Sequence, residues 1–163
     1  MFRSIDTEGN WVVKNRKFYD KYNKTCNPVK KRYFIQKERS RLLGESTIGA
    51  TIEIIEHFEP RIWIIENPQS SKIWDFQKYH WNFKGKENLT YYSSYDKSFS
   101  TKPTIFKSNE KFNLRKIKNK KSNKNHMAYG TYKTRSSIPY LLIKEIIEEC
   151  LNILNLNIGR KKW

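Results

Sequence analysis

The chain holds little that could staple it together or anchor it. There are two cysteines in 163 residues, Cys26 and Cys150, and their spacing matches neither a metal-ligand nor a disulfide pattern. That excludes a disulfide framework and a cysteine-type zinc module, and it points to a reduced, cytoplasmic setting. No apolar run approaches the roughly 18 residues that a membrane-spanning helix needs. The opening stretch, MFRSIDTEGNW, carries no apolar segment of the kind a secretory signal requires. Glycine is scarce at six residues, and none falls in a nucleotide-binding spacing. Acidic residues are also short: 16 Asp and Glu stand against 33 Lys and Arg, a net charge of +17. Such an excess favours a polyanionic partner, and nucleic acid is the commonest. A composition rich in Lys, Asn and Ile raises the lysine count without any ligand, so charge alone leaves the partner open.

What is present suits one domain spanning 1–163. Hydrophobic residues make up 37% and aromatics 15%, so aromatics must fill much of the core. Trp11 to Val13 reads as a short strand, and KRYFIQKERSRLL as the start of a helix. In 46–58, STIGATIEIIEHF, apolar residues recur at helical spacing through Ile48, Ile52, Ile55 and Phe58, with Ser46 or Thr47 as N-cap. Pro60 ends it. The continuous apolar run 61–65, RIWII, then reads as a strand buried on both faces. Helix, short turn and buried strand form the αβ half of a parallel α/β unit. LTYYSSY and KPTIF are further strand candidates. Residues 107–124 carry eight basic residues and one acid, which predicts a loop or extended basic arm with few apolar anchors. A last helix is expected over 139–154, with Pro139 in its first turn and Cys150 as a small core residue.

Behind the strand-like run stand Glu66, Asn67 and Pro68. Ligands of parallel α/β sheets bind outside the carboxyl ends of the strands, which makes this triplet a site candidate. A carboxylate there could act as a proton donor if partly desolvated. Asn and Pro are equally common where a strand merely turns, so position leaves both readings open.

The segment EIIEHFEPRIWIIENPQ resembles the stretch leading into the Glu-Asn motif of cytosine-C5-type DNA methyltransferases, in the divergent form common in phages and mobile elements. TKPTIFKSN and RSSIPYLLIKEII are similar, in the same order, to a later strand and the terminal helix of that group. The resemblance covers roughly 46–150. It implies an α/β fold, an incomplete methyltransferase-like (Rossmann-type) sheet with helices plus a basic irregular region. It implies that Glu66 meets the Watson–Crick edge of a flipped cytosine, that Asn67 and Pro68 shape the loop, and that Lys102, Thr104 and Asn109 lie near the pocket and the DNA. Flipping is what chemistry at a ring carbon requires. Within the basic run, Arg115, Lys116, Lys118, Lys120 and Lys121 are candidates for phosphate contacts. The family's thiolate nucleophile is matched in distance by Cys26, whose neighbours Lys24, Lys30 and Lys31 suit a thiolate. Thr25, not proline, precedes it.

The cofactor implied is S-adenosylmethionine, yet no glycine loop for it is recognisable. The residues before 46 are also too few for the missing βαβ units, each of about 30 residues. The resemblance therefore implies a truncated chain, or one part of a split enzyme whose second polypeptide holds the cofactor. The alternative is a non-enzymatic basic DNA- or RNA-binding module, suited by aromatics interleaved with lysine, as in KFYDKY. A nuclease reading on Glu66, Asp75 and His80 lacks the clustered carboxylates that hold a divalent cation.

Overall fold

The computed structural model describes residues 3–5, 11–118, 131 and 136–160. The chain has a mixed α/β fold and divides into two compact units. The first comprises the described residues up to Pro60 together with Ser71–Lys84; the second comprises Arg61–Ser70 and the described residues from Gly85 onward. Among the described residues no helix is long and apolar enough to cross a membrane.

In the first unit, β1 (Arg3–Ile5) pairs antiparallel with β2 (Trp11–Val13). Helix α1 (Arg16–Thr25) follows, its N-cap Asn15 accepting from the Phe18 amide at 3.0 Å. A 3₁₀ turn (Pro28–Lys30) leads into α2 (Phe34–Phe58). The two helical stretches read from the sequence, KRYFIQKERSRLL and 46–58, are one continuous helix of 25 residues. Thr47 is therefore no cap. Its hydroxyl donates to the Leu43 carbonyl at 2.8 Å, and the Thr51 hydroxyl donates to Thr47 in the same way. Gly44 does not break the helix, because Arg41 forms ion pairs with both Glu38 and Glu45 and braces the turns on either side. The helix ends where Glu59 turns left-handed at φ 42° and Pro60 forbids continuation. Ile48 and Ile52 of α2 pack with Phe76 of α3 (Ile73–Tyr79), flanked by Ile73 and Phe83. Gly49 lies at a close approach: a Cβ there would lie 3.1 Å from the Trp81 ring.

The second unit is built on a three-stranded sheet of order β3 (Ile64–Pro68), β5 (Pro103–Ser108), β4 (Lys86–Tyr91). Both pairings are antiparallel, not parallel as the helix–turn–strand pattern predicts. The discrepancy has a topological origin. β3 and β4 do point the same way, but β5, last in sequence, inserts between them and pairs with both. The central strand buried along its length is accordingly β5, with Thr104 to Ser108 all buried. The strand containing RIWII starts three residues later than the apolar run suggests. Ile62 packs against the core, and Trp63 lies so close to Gly85 that a Cβ there would sit 2.7 Å from its ring.

Glu66, Phe106 and Asn88 are register partners across the three strands and share one face. On that face Phe106 joins Tyr92, Tyr95, Phe112 and Leu114, and Leu142 and Ile146 of α4 (Tyr140–Arg160), in the main core. Cys150 packs against this cluster, as its place on the helix predicts. The apolar stripe of α4 is narrower than expected, since Ile143 and Ile147 are exposed.

The basic run differs most from expectation. Residues 109–118 are irregular, but they are fastened down. Phe112 and Leu114 are core residues, and the Asn88 carboxamide bonds the Glu110 carbonyl (3.0 Å) and the Phe112 amide (2.9 Å). Thr90 and Ser94 donate to the carbonyls of Arg115 and Ile117, both at 2.6 Å. A segment whose polar backbone groups are matched in this way is part of the fold and not a solvated arm. Residues 119–124 of the expected run lie outside the described residues.

Candidate functional site

Glu66 lies at the middle of β3, opposite Phe106. The 3₁₀ turn Tyr92–Ser94 leaves the carboxyl end of the parallel-running β4. It places Tyr92 (1% exposed) so that its hydroxyl donates to Glu66 Oε1 at 3.1 Å. The fully buried Thr104, second residue of β5, hydrogen-bonds the same hydroxyl. Lys102 Nζ lies 3.9 Å from Glu66 Oε1 and 4.8 Å from the centre of the Tyr92 ring. Burial, and secondarily the Glu66 charge, raise the Tyr92 pKa well above the usual phenol range, while Thr104 opposes this. Tyr92 is therefore a permanent O–H donor at neutral pH.

Both contacts fall on one carboxylate oxygen. Oε2 of Glu66 has no hydrogen bond or ion pair among the described residues, and the side chain is 32% exposed. The result is an acceptor held in one orientation by Tyr92, with a cation beside it, able to take an N–H donor from outside. Tyr92 is missing from the sequence-based set. The signal for it is an aromatic hydroxyl just past a strand whose carboxyl end lies on the same side of the sheet as that of β3.

The other candidates divide. Asn67 pairs with Ile105 and so faces away from Glu66. Pro68 pairs with Thr104 and closes the strand, after which the Gln69 amide donates to the Pro103 carbonyl at 3.0 Å. Asn109 is a latch: its carboxamide bonds the Arg61 carbonyl at 2.9 Å and the Trp63 amide at 3.1 Å. Arg115 pairs with Glu145 at 2.9 Å and stacks over Tyr95, so it fastens the 109–118 segment to α4. Lys116 and Lys118 are exposed, with Lys118 Nζ 5.2 Å from the Tyr91 ring centre. Lys120 and Lys121 lie outside the described residues.

Cys26 caps the end of α1, its Sγ 4.0 Å from Asn23 Oδ1. It belongs to the first unit and Glu66 to the second. Asp75 is paired with Lys72 at 2.8 Å, and His80 stacks on Phe76.

S-adenosylmethionine can be tested against the residues present. Gly44 and Gly49 lie inside α2, and Gly85 is wedged against Trp63 and Lys107. Strands lead into helices from β2 to α1, through Lys14–Asn15, and from β3 to α3, through Gln69–Lys72, and neither turn holds a glycine. The described residues do not fit a strand, glycine loop and helix cofactor site. No family model matches the chain, and no curated protein or solved structure matches it.

Proposed function

We propose that the chain is a nucleic-acid-binding protein of DNA methyltransferase-like descent, an incomplete Rossmann-type domain that recognises an extrahelical base through Glu66. The observation that carries this is the Glu66–Tyr92–Lys102 cluster, in which one carboxylate oxygen is held, the other has no partner among the described residues, and the side chain is partly exposed. An amino or protonated ring nitrogen on a Watson–Crick edge is the donor such an oxygen accepts. The cluster gathers side chains from all three segments of the sheet: Glu66 from β3, Tyr92 just past β4, and Lys102 just before β5. The net charge of +17 supplies the sequence-independent attraction to the backbone. Methyl transfer would need S-adenosylmethionine held by a second polypeptide.

The test measures binding to a duplex with one extrahelical cytosine against the fully paired duplex, for the wild type and Glu66→Gln. The wild type is expected to prefer the extrahelical base, and the variant to lose that preference with its salt dependence intact. Incubation with labelled S-adenosylmethionine, alone and with a cofactor-binding polypeptide, then separates enzyme from module.

The second reading is a binding module with no base-specific site. The absence of a glycine turn among the described residues favours it. It expects Glu66→Gln to alter stability alone.

A further inference from the structure

Residues 14–41 carry eleven Lys and Arg against two acids, Asp20 and Glu38, a net of +9 out of the chain total of +17. They form α1, the 3₁₀ turn and the start of α2, so the larger part of the net charge lies on one helical hairpin. Its apex is Asn27 to Lys31.

That apex is built to hold one shape. Asn23 in α1 clamps the far side of the loop with both ends of its carboxamide: Nδ2 donates to the Arg32 carbonyl at 2.7 Å, and Oδ1 accepts from the Arg32 amide at 2.8 Å. Asn27 Oδ1 caps the Val29 amide at 3.0 Å, and its carbonyl accepts from Lys30 at 2.8 Å. Pro28 fixes its own φ. The Arg32 guanidinium lies 5.3 Å from the centre of the Tyr22 ring and braces the base of the loop. All this order is achieved without the Val29 side chain, and the residue is 93% exposed. Pro28, Lys30 and Lys31 beside it are exposed as well.

A single exposed valine is ordinary. A valine at the apex of a hydrogen-bonded loop, flanked by lysines on a strongly basic segment, has the form of a wedge. The minor groove of a DNA duplex admits an element this narrow. Apolar side chains inserted there part a base step while adjacent cations hold the phosphates. One valine buries too little apolar surface to anchor on a bilayer. We infer that the Asn27–Lys31 apex is a duplex-binding wedge, with Val29 entering a flexible base step from the minor groove and Lys30 and Lys31 meeting the flanking phosphates. The inference concerns the first unit and does not depend on Glu66.

The test uses the full chain and a fully paired duplex with 2-aminopurine at a central TA step. Binding of wild type should raise the 2-aminopurine fluorescence by unstacking the step. Val29→Ser should abolish that rise and weaken binding about tenfold, as expected for withdrawing a small aliphatic group from a buried contact. Its salt dependence should be unchanged. The double variant Lys30→Gln, Lys31→Gln should reduce the salt slope by about 1.8, two phosphate contacts' worth. Glu66→Gln should leave the fluorescence rise intact, which separates this wedge from the base-recognition site. Because the apex makes no core contact, circular dichroism should be the same for every variant. An unchanged fluorescence rise in Val29→Ser, or an unchanged slope in the lysine variant, overturns the inference. So does binding to phosphatidylserine-containing vesicles that Val29→Ser abolishes while duplex binding persists.

Discussion

Tyr92 is the residue on which the Glu66 geometry turns. Tyr92→Phe removes one hydroxyl from a buried position and leaves the ring in the core. It should cost about 1.5–3 kcal/mol of stability, the range for a hydrogen bond to a charged group, measurable by urea unfolding. It should also erase the preference for an extrahelical base, because Glu66 loses the contact that fixes its rotamer. A variant that unfolds earlier but keeps the preference would reduce Tyr92 to a structural residue. Two tyrosines also set an alkaline limit. Burial, and next the hydrogen bond to Glu145, push Tyr95 up to about 12, and Tyr92 shifts in the same direction. A raised folded-state pKa means that the unfolded chain releases its proton first. The stabilisation is whole below the unfolded value near 10 and is lost as pH climbs through the folded values. Melting temperature should therefore fall between pH 10 and 12, and less steeply in Tyr95→Phe. An equal slope in both proteins would show that Tyr95 does not carry the effect.

At the scale of elements, two close fits hold the second unit together. Asn88 sits on β4 at 1% exposure, bonds the Phe106 carbonyl of β5, and ties the 109–118 segment to the sheet by two hydrogen bonds, to the Glu110 carbonyl and from the Phe112 amide. Asn88→Ala leaves those backbone groups buried and unpaired, at about 3 kcal/mol, and should release 109–118 to rapid hydrogen exchange before the sheet opens. Gly85→Ala forces a methyl group against Trp63 and Lys107 and should cost about 1–3 kcal/mol by overpacking. Neither constraint is legible in sequence, because Asn88 reads as a turn-prone polar residue and Gly85 as a loop. What periodicity did show was the second half of α2, the core side of α4 through Leu142, Ile146 and Cys150, and the strand at Pro103. The first half of α2 was legible only as a helix start in KRYFIQKERSRLL and was not joined to the second half across the polar turns that Arg41 braces, and the centre of the sheet was misplaced. RIWII is the most apolar run, yet PTIFKS is the central strand, because pairing on both edges buries even Lys107 and Ser108. Likewise, Glu66 was legible from its place behind an apolar run. Its partner Tyr92, 26 residues away, was visible only once β5 had brought the ends of β3 and β4 into register.

For the whole molecule, the charge of +17 makes any duplex binding strongly dependent on salt, and that attraction is shared by both readings of the function. What distinguishes them is whether one carboxylate in a basic protein contributes recognition. A chain this cationic gains nothing in backbone affinity from Glu66, so neutralising it should tighten non-specific binding slightly while removing base preference. The most direct measurement is fluorescence anisotropy of wild type and Glu66→Gln on matched duplexes, one fully paired and one with a single extrahelical cytosine, across a salt series. The expected result is a wild-type preference for the extrahelical base that persists at every salt concentration, and no preference in Glu66→Gln. Equal discrimination by the two proteins, or none by either, would contradict a base-recognition role for Glu66.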